Sequence, residues 1–321
     1  MVRKIVSFFI VVFLLFSTPA FGKRILWQAE GYLLEAILQV EAMDVDGDGR
    51  DELIVLGRNY EAREVFIYTL TWSGSEWLVL WKSPNLYETA SPVAIAVGNF
   101  RGQGVELVAL TNTLYRLYQW SSQGFVEVWH GANPFPVRLA VGVSASGPQD
   151  YLVRTKLARQ TDWTVFDQLV LLVWQEGKGF VQVASSAEIG HVRGITAVDL
   201  EPDGAMEVVV EKGDVMASGE VQVWQIRDNA RFQRTYATTL SSSPIFALGG
   251  GEFLGSPVLV VGDNTGRVNT YGFTGGQLSV TGDQLRVGYG LVWAAVGRFT
   301  GNPNNEIALV RYPAELMLIT D

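Results

Sequence analysis

Cysteine is absent from the 321 residues, and histidine occurs only twice, at His130 and His191. The first absence excludes disulfides and a lipid-modified cysteine, so the fold must be held by its core. A chain of this length can bury enough apolar surface for that. The sequence also lacks a Gly-x-Ser-x-Gly elbow, a phosphate-cradling glycine loop and a His-Glu-x-x-His pair, which removes the commonest signatures of hydrolases, nucleotide enzymes and zinc proteases. No long amphipathic helical stretch is visible. Basic residues are few, 24 against 33 acidic. An acidic chain is repelled by nucleic acid and by anionic lipid.

The N-terminus reads as a secretory signal over residues 1–22. Arg3 and Lys4 precede the apolar run Ile5 to Phe16, and Ala20-Phe21-Gly22 offers small residues at a cleavage point. The apolar run is short for a membrane span, although an uncleaved anchor is the alternative. Without this segment 22 basic residues face 33 acidic ones, a net charge of −11. The expected setting is secreted or extracytoplasmic, with no membrane span after cleavage, no nucleic-acid partner and a monomeric state.

The most chemically distinctive stretch is Asp44-Val45-Asp46-Gly47-Asp48-Gly49-Arg50-Asp51-Glu52, followed by the apolar Leu53 to Leu56. Carboxylates at alternate positions with glycines between them make a compact cage of oxygens, which suits hard divalent cations, calcium first. Degenerate copies recur. Ala96 to Gly104 precedes Glu106, Leu139 to Gly147 precedes Tyr151, and Ala197 to Gly204 precedes Glu207. Gly251 to Gly255 precedes Val258, and Ala295 to Gly301 precedes Glu306. Each copy is followed by a pair of alternating aromatic-rich segments, such as Val65–Trp72 with Trp77–Trp81 and Leu114–Trp120 with Phe125–Trp129. The repeat therefore holds four short antiparallel strands in about 50 residues, the size of a propeller blade.

The last copy ends at Asp321 with a third strand, and Ile25 to Gln28 matches the fourth strands of other copies. The expected fold is all-β: a six-bladed β-propeller over residues 23–321, with the N-terminal strand closing the last blade. Seven blades is the alternative if the eroded 136–190 region hides another unit. The tryptophans at 27, 72, 77, 81, 120, 129 and 174 recur at matched strand positions, which points to packing between blades.

The Asp44–Glu52 stretch with its following strand resembles the FG-GAP/VCBS repeat of integrin-α-like β-propellers, strongly in repeat one, fairly in repeat four and weakly elsewhere. The resemblance implies calcium in the loop between the first two strands of a blade. Its ligands would be Asp44, Asp46, Asp48, Glu52 and the carbonyl of Arg50. In repeat four they would be Asp199, Glu201, Asp203, Glu207 and the carbonyl of Ala205. An EF-hand reading fails, because Val55 stands at its twelfth position and a strand follows. A solvated acidic turn is the plain alternative. Arg101 and Arg298 stand in the corresponding loops of repeats two and six, and each is expected to replace the ion by pairing with Glu106 or Glu306.

Tyr87, His130, Phe135, His191, Arg193 and Tyr289 fall in the connections between blades, which open on the face opposite the ion loops. That face is the expected ligand-binding surface. A long insert, Arg154 to Gln168, adds Lys156, Arg159 and Trp163 there. The functional expectation is a non-catalytic binding or adhesion module for protein or glycan. The alternative is a carbohydrate-active enzyme, a polysaccharide lyase or hydrolase on the same scaffold.

Overall fold

The computed structural model describes residues 23–29, 34–87, 93–134, 136–144, 147–161, 164–213, 219–227 and 230–321. The expected signal segment and Phe135 and Trp163 lie outside the described residues.

Twenty-four strands form six four-stranded antiparallel sheets. Blade one is β2 (Ala36–Met43), β3 (Glu52–Asn59), β4 (Glu64–Trp72) and β5 (Trp77–Lys82). Blade two is β6 (Ala94–Gly98), β7 (Glu106–Leu110), β8 (Leu114–Ser121) and β9 (Gly124–Ala132). Blade three is β10 (Ala140–Val143), β11 (Tyr151–Gln160), β12 (Val165–Gln175) and β13 (Gly179–Ser185). Blade four is β14 (Val192–Val198), β15 (Glu207–Lys212), β16 (Gly219–Arg227) and β17 (Arg231–Ser241). Blade five is β18 (Ile245–Phe253), β19 (Ser256–Asp263), β20 (Arg267–Thr274) and β21 (Gln277–Arg286). Blade six joins β22 (Leu291–Gly297), β23 (Glu306–Arg311) and β24 (Glu315–Thr320) to β1 (Arg24–Ala29) from the other end of the chain. The eroded region of repeat three holds one blade, so the ring has six.

The strand patterns follow from position in the blade. The second strands Leu53–Leu56, Leu107–Leu110, Val208–Val210 and Ile307–Val310 are uninterrupted apolar runs, because both of their faces are covered by neighbouring blades. The outermost strands are largely exposed, and residues such as Leu78, Val126 and Val280 face solvent. Strand β1 runs antiparallel to β24 in a register from Arg24↔Thr320 to Ala29↔Leu316, covering an edge that would otherwise be bare.

Adjacent blades lock through aromatic rings. Trp77 of blade one meets Phe299 of blade six edge-on, centroids 5.3 Å apart, and Trp81 meets Phe125 of blade two at 5.4 Å. Trp129 of blade two meets Trp174 of blade three at 5.0 Å. Two glycines make room for these rings. Gly124 and Gly179 open the fourth strands of blades two and three with φ of +97° and +80°, and a Cβ on either would strike the ring of Trp81 or Trp129. The positive φ favours glycine, and the close approach requires it.

The Arg154–Gln168 stretch, expected as a loop insert, is a hairpin: β11 and β12 pair from Leu152↔Leu172 out to Gln160↔Val165. Arg154 belongs to its buried base, 1% exposed.

Candidate functional site

Strand direction alternates within a blade. The loops between first and second strands therefore share one face, and the turns between second and third strands share the opposite face with the blade-to-blade connections.

On the first face, the loop of blade one brings Asp44, Asp46 and Asp48 together, with carboxylate oxygens within 4.8 Å of one another. Gly47 and Gly49, at φ of +79° and +85°, turn the backbone so that their N–H groups donate to Asp44 at 2.7 and 3.0 Å. Arg50 lies across the cluster, its guanidinium 2.6 Å from Asp48. That contact holds the Asp48 carboxyl below the usual range. Glu52 sits beneath, outside the 4.8 Å group. It accepts the Val45 N–H at 3.0 Å through Oε2. Its buried Oε1 makes no hydrogen bond within 3.5 Å, although the Thr71 hydroxyl is near enough to ease its charge. Burial pushes this carboxyl up to about 7. Three converging carboxylates above an unsatisfied buried carboxylate oxygen form an all-oxygen donor set, and calcium fits it.

The corresponding glutamate of every other loop that keeps one has found a partner in protein. Glu106 accepts the Arg101 N–H at 2.7 Å and pairs with the Arg101 guanidinium, which also donates to Gln119 at 2.9 Å. This is the replacement of ion by arginine expected for blade two. Blade six differs. Glu306 takes both the N–H and the hydroxyl of Thr300, while Arg298 is exposed and bonded through its backbone to Asp51. Thr300, six positions before Glu306, reaches the glutamate at less cost in side-chain entropy than a long arginine stem. In blade four Glu207 accepts the Leu200 N–H at 2.9 Å, and the Gln225 amide bridges Glu207 and Glu201 at 3.2 and 3.3 Å. Among the described residues Asp199, Glu201 and Asp203 form no cluster like that of blade one. Asp199 and Asp203 instead accept backbone N–H groups of their own loop, from Asp203, Gly204 and Ala205. Burial raises the Glu207 carboxyl.

The opposite face carries most of the residues expected there. Tyr87 and Tyr289 lie in connections and are 46% and 78% exposed. His130 belongs instead to the end of β9, where its exposed ring meets Glu127 at 3.0 Å. Arg193 is not in a connection. It belongs to β14 and forms a largely buried ion pair with Glu211, because the strand begins at Val192, one residue before it. His191 lies just outside that strand and receives the Arg138 guanidinium at 2.6 Å on Nε2, and Arg138 also pairs with the buried Asp167.

Two further tyrosines stand on this face. Tyr60, 56% exposed, is in the β3–β4 turn beneath the Arg58 guanidinium, which lies 5.2 Å from its ring centroid. Tyr312, 67% exposed, is in the β23–β24 turn, and its N–H donates to the carbonyl of Gly290 beside Tyr289. Tyr289, Tyr312, Tyr60 and Tyr87 belong in turn to the blade five–six connection, blade six, blade one and the blade one–two connection. They form one arc. The matched strands were the sequence signal that could have placed Tyr60 and Tyr312, since each follows a second strand directly.

The six first strands surround a central channel with a cavity of about 520 Å³ that reaches the ion-loop face. Its walls include Val40, Val97, Val141, Ile195, Leu248 and Trp293, one from each blade. Glu41 projects among them, and no other repeat carries an acid at its position, so the repeat pattern gives no sign of it.

These features define a six-bladed β-propeller with one acidic loop able to take an ion, a tyrosine arc on the other face and an open channel. No known family's sequence profile matches the chain, and no curated protein does. Solved structures match in fold. BBS1N, crystallised in complex with ARL6DN and soaked with mercury, superposes with a TM-score of 0.57 at 14% identity, covering 93% of this chain and 96% of that one. The lead-soaked crystal of the same complex gives 0.55 at 13% identity, covering 92% and 96%.

Proposed function

We propose that the chain is a non-catalytic, protein-binding β-propeller of an extracytoplasmic compartment, with calcium fastening the loop of its first blade. The observation that carries the binding reading is the tyrosine arc. Exposed tyrosines supply large, rigid contact area with a polar tip, and they are enriched where proteins meet. Tyr289, Tyr312, Tyr60 and Tyr87 are all exposed in the turns and connections of blades six and one, with Arg58 against Tyr60. The likeness to BBS1N, a propeller crystallised with a protein partner, agrees with such a role. The extracytoplasmic setting rests on the basic and apolar pattern of residues 1–22.

Calcium, when bound, would neutralise the mutual repulsion of Asp44, Asp46 and Asp48 and tie the end of β2 to the start of β3. Those aspartates and Glu52 are the residues to hold it. The test of the ion is thermal unfolding with chelator and with excess calcium. The expected result is a lower Tm with chelator that calcium restores, the stabilisation being about 2.7 kcal/mol at a hundredfold excess over Kd. Asp46→Ala should abolish the difference. An unchanged Tm would remove the ion from the reading.

The test of binding is capture from an array of extracytoplasmic proteins and glycans by the full chain and by the Tyr60→Ser/Tyr289→Ser variant, run beside a polysaccharide hydrolysis and lyase screen. A captured protein that the variant releases supports the reading. Turnover of a polysaccharide, or capture indifferent to the tyrosines, overturns it.

A further inference from the structure

The channel holds a carboxylate in surroundings that a calcium loop does not share. Glu41 is part-buried on β2, three residues before the acidic loop, and it faces a cavity whose walls are mostly apolar. Its position is set from behind. Gln39, 1% exposed, donates its amide to Glu41 Oε1 at 2.6 Å. The same amide group reaches the carbonyls of Ile95 in blade two and Ala140 in blade three, at 2.8 and 3.1 Å, and accepts the Ile95 N–H at 2.9 Å. Gln39 is thereby locked across three blades. Among the described residues no donor reaches the second oxygen of Glu41.

The remaining ionisable residues that line the cavity are Asp199 and Glu252 at its loop end, and among the described residues no lysine, arginine or histidine lines it. The sign of charge is therefore uniform. A hard divalent ion is a poor fit at Glu41, since calcium takes six to eight oxygens and the walls here are Val97, Ile195, Leu248 and Trp293. An organic cation with a hydrocarbon stem matches both features: the charge meets the carboxylate, and the stem lies along the apolar wall with an indole within the same cavity. A cavity of about 520 Å³ is also of the size that holds small ligands.

We propose that the central channel is a binding site for an alkylammonium or alkylguanidinium cation, with Glu41 as its counter-ion, Gln39 as the residue that positions Glu41, and Trp293 in the apolar wall. The cation can be a free amine or the end of a lysine or arginine side chain. Burial, opposed by the Gln39 hydrogen bond, pushes the Glu41 carboxyl up to about 8, and a cation against it would offset the cost of holding the charge there.

The proposal is tested by calorimetry on the full chain with n-butylamine, agmatine and a blocked Gly-Lys-Gly peptide as probes, and n-butanol as the neutral control. The expected result is that at least one cationic probe binds about tenfold or more tightly than n-butanol, and that Glu41→Gln, which keeps the acceptor for Gln39, removes that preference. Binding of the free amines assigns the site to small molecules, and preference for the peptide assigns it to a side chain. Both support the proposal. Failure of every cationic probe to bind the unaltered protein more tightly than n-butanol overturns it without reference to any variant, as does a Glu41→Gln protein of unchanged Tm that keeps the cation preference.

Discussion

The carboxylate of Asp51 accepts the backbone N–H of Arg298 at 2.6 Å, and the Asp51 N–H donates to the Arg298 carbonyl at 3.1 Å. The pair joins blade one to blade six across 247 positions of the chain. Asp150 and Asn99 make the same two bonds, at 2.7 and 3.0 Å, between blades three and two. In both cases the residue just before a second strand reaches back to the loop of the preceding blade. A propeller has long-range closure to stabilise, and these paired bonds add to the strand β1 that completes blade six.

Asp51→Ala should therefore lower stability by about 1 kcal/mol, since the Arg298 N–H loses its acceptor, while Asp51→Asn keeps one and should cost little. Asp150→Ala should behave alike. The two alanine changes lie in separate interfaces and should add to within about 0.5 kcal/mol in urea unfolding.

Gly124→Ala and Gly179→Ala should each destabilise by about 1–3 kcal/mol or more, because the new methyl meets Trp81 or Trp129 and the backbone is held at positive φ. An alanine at Gly74, also at positive φ but with nothing nearby, isolates the backbone share. Thermal unfolding of the three variants separates the two effects.

The two loop arginines should differ sharply. Arg101→Met strips the buried Glu106 of its cation, and breaking such a pair costs about 3–5 kcal/mol. Arg298→Met removes an exposed side chain whose backbone contact survives, and should change stability by less than about 0.5 kcal/mol. Neither change should respond to chelator. Equal effects of the two variants would contradict the geometry.

Glu41 gives a pH signature. Its folded carboxyl is raised to about 8 from the model-peptide value of 4.5. Between those values the folded state holds a proton that the unfolded chain has released, so this residue's contribution is full below about pH 4.5 and is lost as pH rises through 8. The stability of the unaltered protein should fall with rising pH across that window relative to Glu41→Gln, by at most about 1.4 kcal/mol per pH unit. Denaturant unfolding at pH 5, 6.5 and 8 in matched buffers, about three points across the window, reads the difference. Parallel curves would show that Glu41 stays ionised throughout.

Much of the fold was legible because blades repeat. Phe100 and Phe299 stand at matched positions after Asn99 and Arg298, and both are fully buried against a neighbouring blade's aromatics, Phe180 and Trp77. A repeated residue in a repeated environment announces itself. The candidate functional residues were less legible for the same reason. Glu41 and Gln39 have no counterparts in other repeats, Tyr60 and Tyr312 match only each other, and Arg193 looked like a loop residue because its partner Glu211 lies a strand away.

While the structure settled six blades over seven, the sequence alone determined the blade-sized repeat, the order of strands within it, the closing role of Ile25–Gln28 and the concentration of acid at Asp44–Glu52. Each of these is local pattern, set by alternation of side chains, by turn glycines and by spacing. Only the tertiary structure decided how each loop glutamate is satisfied: Glu106 by Arg101, Glu207 by Gln225, Glu306 by Thr300, and Glu52 through one oxygen only. Arg101 and Thr300 come from the loop itself and Gln225 from the third strand of its blade, and they differ in reach. Which of them arrives within a hydrogen bond depends on how the blade is packed, and no spacing along the chain records that.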